Sequence, residues 1–229
     1  MMYYYRNTAI IVGILFITAT VTSILSSIFL GSTLTAPISF STINANANNI
    51  IIAVILELIA ALSAFGTAVM LFPILKKYTE GLAIAYVGLR VFENAFYILG
   101  AISLLILLTL SQQNGAFNNI SYQLLSNLVL ALHDWSLAIG TVLIFGIGSL
   151  TLNYILYQSK LVPRWISIWG LIGAALVLLY GLIGIFSLDP NMISSILTVL
   201  ALPIAVQEMV FAAWLIVKGF NPSALAMDQ

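Results

Sequence analysis

Six long apolar stretches constrain the fold of this chain more than any other feature of its sequence. They cover residues 9–30, 50–75, 82–110, 122–157, 165–188 and 192–217. A bilayer core about 30 Å thick needs roughly 20 apolar residues in a helix, so each stretch is long enough to cross it. The apolarity is continuous rather than alternating, which excludes the strands of a membrane barrel. The sequence therefore predicts an all-α, polytopic transmembrane bundle of six helices, in a single integral membrane domain over residues 1–229.

The composition agrees with a membrane location and excludes several chemistries. Only 6% of the residues are charged, against roughly 25% in soluble domains. Seven Lys and Arg balance seven Asp and Glu, so there is no basic surplus for binding nucleic acid. The absence of cysteine excludes thiolate metal ligands and iron–sulfur clusters, and a single histidine excludes a bis-histidine haem. No cofactor and no metal site are therefore expected.

The positive charges outside the spans predict how the bundle is oriented. Lysine and arginine close to span ends are retained on the cytoplasmic side of a membrane. If the chain crosses six times, the positive residues outside the spans all fall on one side: Arg6, Lys76, Lys77, Lys160, Arg164 and Lys218. The connections on the opposite side contain no lysine or arginine. Both termini are therefore expected in the cytoplasm, and the first stretch is a span rather than a signal peptide.

The polar segment after the first span and the long fourth span each require a separate prediction. The polar segment 31–49, rich in Ser, Thr and Asn, is expected to be a linker. A continuous helix over residues 122–157 would be about 54 Å long, which exceeds the hydrocarbon thickness. We therefore expect strong tilt, or a helical hairpin whose tip at residues 111–125 stands out of the non-cytoplasmic face.

Five charged residues fall inside the predicted spans, namely Glu57, Arg90, Glu93, Asp134 and Glu208. A charge at the bilayer centre costs about 2.5–3.5 kcal/mol on insertion scales, so such residues face the bundle interior or a wet cavity. Helical rise places Arg90 and Glu208 at a similar depth, roughly 15 Å from their nearest cytoplasmic charges, so they can be partners. Asp134 and the neighbouring His133 either join this inner group or belong to the far interface.

Polar neighbours extend the inner group along two helices. Asn94 and Tyr97 share one helical face with Arg90 and Glu93. Gln207 precedes Glu208 one turn after Pro203, which should kink the sixth span. Glu57, Glu93 and Glu208 share the single arginine, so the charges balance only if a carboxylate is protonated or a cation binds. These residues are the candidate ligand-binding or proton-linked site.

Four glycines in the fifth span allow a neighbouring helix to approach closely. Gly170, Gly173, Gly181 and Gly184 are expected to serve helix packing or dimerisation. Homo-oligomerisation is therefore left open by the sequence.

Seven short motifs spread over nearly the whole chain carry a family resemblance. They are ELIAAL at 57–62, LFPILKK at 71–77, GLRVFE at 88–93, DW at 134–135, LVPRW at 161–165, WGLIG at 169–173 and LPIAVQE at 202–208. Together they resemble a family of prokaryotic six-helix membrane proteins catalogued as domain of unknown function 4386. The resemblance implies a multi-pass protein of a prokaryotic cell membrane. It implies no activity and adds no site residue.

Three functions are consistent with this sequence. In the preferred interpretation, a polar pocket between the second, third and sixth spans binds or moves a small molecule, a lipid headgroup or a cation, coupled to protons. An intramembrane enzyme with carboxylate acid–base chemistry would instead need His133 or Asp134 close to a second catalytic group, and no catalytic residue is assigned. A structural or regulatory subunit would use the buried charges only to lock the fold.

Overall fold

The computed structural model describes residues 2–31, 34, 39–113, 119–186 and 190–225. Within these residues the chain is helical, without strands. The helices are α1 (Met2–Gly31), α2 (Phe40–Ala45), α3 (Ala47–Leu75), α4 (Glu80–Gln112), α5 (Asn119–Leu137), α6 (Phe145–Ser159), α7 (Arg164–Phe186), α8 (Pro190–Val217) and α9 (Pro222–Leu225). A π-helical segment, Ala138–Ile144, joins α5 to α6.

Six helices in the described part of the chain are long and apolar enough to cross a membrane. They are α1, α3, α4, the continuous α5–α6 rod, α7 and α8, which confirms the predicted all-α bundle of six spans. Their outer surface is apolar: Ile28, Leu62 and Phe92 are all more than 60% exposed. Large apolar side chains covering a whole surface are expected against lipid rather than water. The fold is that of a multi-pass membrane protein.

The first and last spans close the bundle on each other. Arg6 at the start of α1 donates from Nη1 to the carbonyl of Leu215 at 3.2 Å and from Nη2 to that of Ile216 at 2.6 Å. These carbonyls lie in the last turn of α8, where the usual helical partners run out; that of Leu215 also accepts from the backbone amide of Gly219 at 3.1 Å. Further along, the rings of Phe16 and Phe211 meet edge to face at 5.4 Å. Arg6 therefore caps α8 while the aromatic contact packs the two helices together.

The predicted linker 31–49 is partly helical, so that expectation was wrong for its second half. Ser39 begins α2, with its Oγ accepting a hydrogen bond from the amide of Thr42 at 3.2 Å, as N-cap residues do. Asn44 and Ser111 exchange two hydrogen bonds of 2.8 Å, from Asn44 Nδ2 to the Ser111 carbonyl and from Ser111 Oγ to Asn44 Oδ1. The segment folds because Ser39 caps it, Ile43 is fully buried and Asn44 ties it to the end of α4.

The long fourth stretch is one continuous rod from Asn119 to Ser159 that passes through the π-helical segment. At 1.5 Å per residue the rod is about 60 Å long, well beyond a hydrocarbon core of about 30 Å. It pairs with α4, itself longer than the core, as the predicted hairpin requires. The central part of the expected tip, residues 114–118, lies outside the described residues, and the position of the tip relative to the membrane stays a prediction.

The glycines of α7 differ in what surrounds them. A Cβ atom on Gly173 would lie 3.0 Å from the backbone of Ile204 in α8, and one on Gly181 would lie 2.6 Å from Leu143. A Cβ on Gly170 would collide with the side chain of Asn153, whereas one on Gly184 would meet nothing within 4 Å. Three of the four glycines therefore permit close packing within the chain, as predicted, and Gly184 does not.

Candidate functional site

A cavity of about 330 Å³ lies in the middle of the bundle. The prediction placed a pocket between the second, third and sixth spans, but α1, the π-helical segment and α7 also contribute to its wall. Three of the charged residues in the spans reach it. The polar side chains that line it are Thr20, Ser23, Thr67, Arg90, Glu93, Tyr97, Thr141, Tyr180 and Glu208.

Arg90 is held rigidly at the cavity wall. Its Nη1 donates to both carboxylate oxygens of Glu93, at 3.0 and 2.8 Å, and its Nε donates to the hydroxyl of Tyr86 at 3.3 Å. The guanidinium lies 5.4 Å from the ring centroids of both Tyr86 and Phe145. Because Glu93 follows Arg90 by three residues on one helical face, the pair forms within α4. The positive charge of Arg90 is therefore neutralised by Glu93 before any ligand enters.

Glu208 reaches the same cavity from α8 but has no direct partner. Within the described residues its carboxylate forms no hydrogen bond and no ion pair shorter than 4 Å, although Arg90 and Glu93 are close enough to act on it electrostatically. The predicted pairing of Arg90 with Glu208 is thus replaced by the pairing with Glu93. Ionised, the three groups leave one net negative charge, carried by Glu208.

The polar neighbours predicted for the site divide between two roles. Tyr97 lines the cavity, and its hydroxyl lies 3.5 Å from Ser23 Oγ on α1. Asn94 donates instead to the carbonyl of Arg90 within α4, at 3.0 Å. Gln207 is buried and donates from Nε2 to the carbonyl of Ile166 at 3.2 Å and to Asn153 Oδ1 at 3.3 Å. Gln207 therefore joins α8 to α6 and α7, Asn94 bonds within its own helix, and neither residue lines the cavity.

Glu57 belongs to a second cluster, together with His133 and Asp134. His133 Nε2 lies 3.3 Å from Glu57 Oε1, and His133 Nδ1 lies 3.1 Å from Asp134 Oδ1. Ser26 Oγ also donates to Glu57 Oε1, at 3.4 Å, whereas Glu57 Oε2 is buried without a hydrogen-bond partner in the described chain. The side chain of Asp134 is 75% exposed. The cluster thus runs from the outer surface of α5 to a buried carboxylate on α3.

A smaller pocket of about 220 Å³ lies on the outer side of the π-helical segment. Asp134 is part of its wall, and Val142 and Tyr180 line both this pocket and the central cavity. π-Helical segments are rare and occur frequently at functional sites. A Cβ atom on Gly140, within this segment, would lie 2.5 Å from Phe96 Cβ on α4, so only glycine permits this close approach.

Phe145, Tyr180 and Thr141 line the cavity although the sequence did not single them out. Thr141 is a polar residue in an apolar stretch, which is a weak signal for an inward position. The two aromatic residues carry no such signal, because an aromatic side chain in a span faces lipid or protein equally well. Their place in the site depends on the rotation of the α5–α6 rod and α7, which the sequence does not specify.

The cavity wall combines two acidic side chains with aromatic rings and hydroxyl groups. Among the described residues, no three histidine, aspartate or glutamate side chains come together in an arrangement that could hold a metal ion. The two cavity carboxylates differ in their partners. Glu93 is hydrogen-bonded to Arg90, whereas Glu208 has no ion-pair partner among the described residues. Aromatic rings and hydroxyl groups make up much of the remaining wall.

Comparison with protein-family models finds a match over most of the chain. A family model described as "Domain of unknown function (DUF4386)" matches residues 11–219. No curated protein and no solved structure matches the chain. The match spans all six membrane helices and both buried clusters.

Proposed function

Because this chain belongs to the DUF4386 family, whose description states no activity, we propose its function from the cavity itself. The protein binds a small molecule that carries a positive charge and exchanges it for a proton on Glu208. The proposed location is the prokaryotic cell membrane, with both termini in the cytoplasm. The unpaired carboxylate of Glu208 in the cavity carries this proposal.

The charges around the cavity favour a cationic ligand over an anionic one. An anion would have to compete with Glu93 for Arg90, whose Nη1 already bonds both carboxylate oxygens. A cation needs no such competition, because it neutralises the excess charge on Glu208. Ionised groups in a low-dielectric interior require a partner of opposite charge or lose their charge. Glu208 therefore alternates between a bound proton and a bound cation.

The size and lining of the cavity limit the ligand further. A volume of about 330 Å³ corresponds to roughly eleven water molecules at about 30 Å³ each. This suits a ligand of about ten non-hydrogen atoms. Phe16, Tyr97, Phe145 and Tyr180 line the wall, and aromatic faces attract organic cations by about 0.5–2 kcal/mol each.

The smaller outer pocket supports entry from the side of the bundle. It carries the exposed carboxylate of Asp134, which attracts cations, and it shares Val142 and Tyr180 with the cavity. Movement of the Tyr180 side chain would join the two spaces. A cation that arrives at Asp134 could then reach Glu208 without crossing the whole thickness of the bundle.

Calorimetric titration of the purified full-length protein in detergent tests this function. Phenethylammonium serves as the cation, and 2-phenylethanol, with the same number of non-hydrogen atoms, as its neutral counterpart. Phenethylammonium should bind at least about tenfold more tightly, since charge pairing and ring contacts contribute about 1.4 kcal/mol or more. Its binding should release protons into a weakly buffered solution and should strengthen as the pH rises, because protons compete for Glu208.

Glu208→Gln should remove both the proton release and the preference for the cation. Glu80→Gln is the matched control, because Glu80 is exposed at the start of α4, outside the cavity. It should bind like the unmodified protein. Equal binding of the two probes, no binding of phenethylammonium, or unchanged binding by Glu208→Gln would each contradict the proposal.

A second candidate function, acid–base catalysis inside the membrane, is favoured by a separate observation. His133 lies within 3.3 Å of Glu57 and 3.1 Å of Asp134, so it can take up a proton from one carboxylate and pass it to the other. His133→Gln would abolish turnover by such an enzyme but leave phenethylammonium binding in the central cavity unchanged. A purely structural subunit would bind neither probe.

A further inference from the structure

Two connecting segments at one end of the bundle enclose a pocket of about 570 Å³. Residues 160–163 join α6 to α7, and residues 218–221 join α8 to α9. Asn221 ties the segments together: its amide donates to the carbonyl of Leu161 at 2.8 Å, and its Nδ2 donates to the carbonyl of Lys160 at 3.3 Å. The pocket is therefore a fixed part of the fold.

Three positive charges line this pocket without an opposing charge. Lys160, Arg164 and Lys218 contribute to its wall, and none of the described residues that line it is acidic. All three side chains belong to residues that are exposed. Like charges near a protein surface repel one another by an amount that depends on distance and screening. An anion in the pocket would relieve this repulsion.

Two of these basic residues occupy unfavourable positions in the chain. Arg164 is the first residue of α7, where the helix dipole is positive and a basic side chain is disfavoured. Lys160 ends α6 in the left-handed conformation, with φ of 54°, at a position that glycine occupies with least strain. Strained positions of this kind persist where the side chain has a role.

The aromatic surroundings place the pocket at the level of lipid headgroups. Trp214 lines it, Trp165 directly follows Arg164 and is 51% exposed, and its ring lies 6.4 Å from that of Trp169. Tryptophan is enriched where the hydrocarbon meets the headgroups. The Arg164 guanidinium lies 5.0 Å from the ring centroid of Tyr157.

We propose that this pocket binds a phosphate group at the membrane surface, as presented by the headgroup of an anionic phospholipid. Basic pockets between membrane helices bind such headgroups, and three cations around one phosphodiester give a net attraction. The site is distinct from the central cavity and shares no lining residue with it. It therefore stands whether or not the central cavity binds a cation.

Titration of the full-length protein in neutral detergent, at constant ionic strength, tests this site with two probes. One probe is dihexanoylphosphatidylglycerol, a short-chain anionic lipid, and the other is inorganic phosphate. Lys160→Gln and Lys218→Gln should each weaken lipid binding about fivefold, the effect of one lysine near a headgroup. Lys76→Gln is the matched control: it removes an exposed lysine from a residue outside the pocket, whose Nζ lies 5.6 Å from the Phe72 ring centroid.

The outcomes separate the two sources of phosphate from nonspecific attraction. If the pocket variants weaken binding of the lipid but not of inorganic phosphate, the bound phosphate belongs to a lipid headgroup. Weakening of both probes, or of inorganic phosphate alone, supports a phosphate site that a soluble anion can fill. An equal effect of Lys76→Gln, no effect of the pocket variants, or no binding of either probe would overturn the proposal. Glu208→Gln should leave this binding unchanged.

Discussion

His133 on α5 and Glu57 on α3 form a buried contact between two spans, with Nε2 and Oε1 3.3 Å apart. His133 is the only histidine of the chain, and both residues are less than 5% exposed. The second nitrogen of the imidazole ring faces Asp134, whose side chain is largely exposed. A polar contact in this position joins two helices and links a buried carboxylate to the surface of the bundle.

His133→Ala should lower the free energy of unfolding by about 3 kcal/mol, because it leaves the Glu57 carboxylate buried without its imidazole partner. Asp134→Ala removes a side chain that is 75% exposed, so it should change stability by no more than about 0.5 kcal/mol. Thermal unfolding of the two variants in the same detergent compares them directly. Equal destabilisation by both would show that the histidine acts through its exposed neighbour rather than through Glu57.

Gly173→Ala should destabilise the bundle by about 1–3 kcal/mol, the usual effect of overpacking a filled interface. Its new methyl group would lie 3.0 Å from the backbone of Ile204, which cannot move without shifting α8. Gly184→Ala is the matched control on the same helix, because nothing lies within 4 Å of its new methyl group. It should be neutral or stabilising by up to about 1 kcal/mol, since alanine is the better helix former. If both substitutions unfold at the same temperature, the close contact of α7 with α8 does not contribute.

The spans could be predicted from the sequence because each depends on a continuous apolar run, a local property. The ion pair of Arg90 with Glu93 is also local, since a spacing of three residues brings side chains together on any helix. The contact of His133 with Glu57 could not be predicted, because it depends on how α5 is rotated and how deeply it sits against α3. The same holds for Glu208, whose distance from Arg90 depends on the packing of α8 against the other spans.

Helix α2 and the π-helical segment could not be predicted from the sequence for a different reason. Polar composition separated residues 31–49 from the neighbouring spans, but composition does not distinguish a linker from a short helix that Ser39 caps and that is hydrogen-bonded to Ser111. Within the π-helical segment, Gly140 lies very close to Phe96 of α4. A glycine in a span predicts a close contact but not the partner, so the change in helix type could not be predicted.

Ala205→Cys should report the charge of the cavity, because the chain contains no cysteine of its own and Ala205 lines the cavity. At a pH that deprotonates Glu208, a cationic methanethiosulfonate reagent should modify this cysteine roughly tenfold faster than an anionic one, a difference of about 1.4 kcal/mol for a nearby unit charge. Adding Glu208→Gln should remove most of that preference. Mass spectrometry of the labelled protein gives both rates.

Ala53→Cys provides the control for this labelling. Ala53 is fully buried and does not line the cavity, so neither reagent should modify it in the folded protein. Rapid labelling at residue 53, or equal rates of the two reagents at residue 205, would contradict a cavity with an excess negative charge.

A reporter that is active only in the cytoplasm should be active when it is fused after the last residue. This outcome follows from the six positive residues that the predicted topology places on one side. Fusion of the same reporter after residue 113, at the end of α4, should be inactive, because the predicted topology places that end on the other side. Activity at residue 113 and inactivity at the C-terminus would reverse the proposed orientation. Reporter activity in intact cells gives the answer without purification.

The cap that Arg6 provides for α8 sets an order of events during biosynthesis. The guanidinium and the carbonyls it bonds are 209 and 210 residues apart in the chain. The first helix enters the bilayer long before its acceptors are synthesised, so α3, which packs along α1, is its first stable neighbour. The bundle becomes a closed ring of helices only when α8 arrives. The join between the earliest and latest helices can therefore form only after nearly the whole chain has been synthesised, and a chain truncated before α8 would lack it.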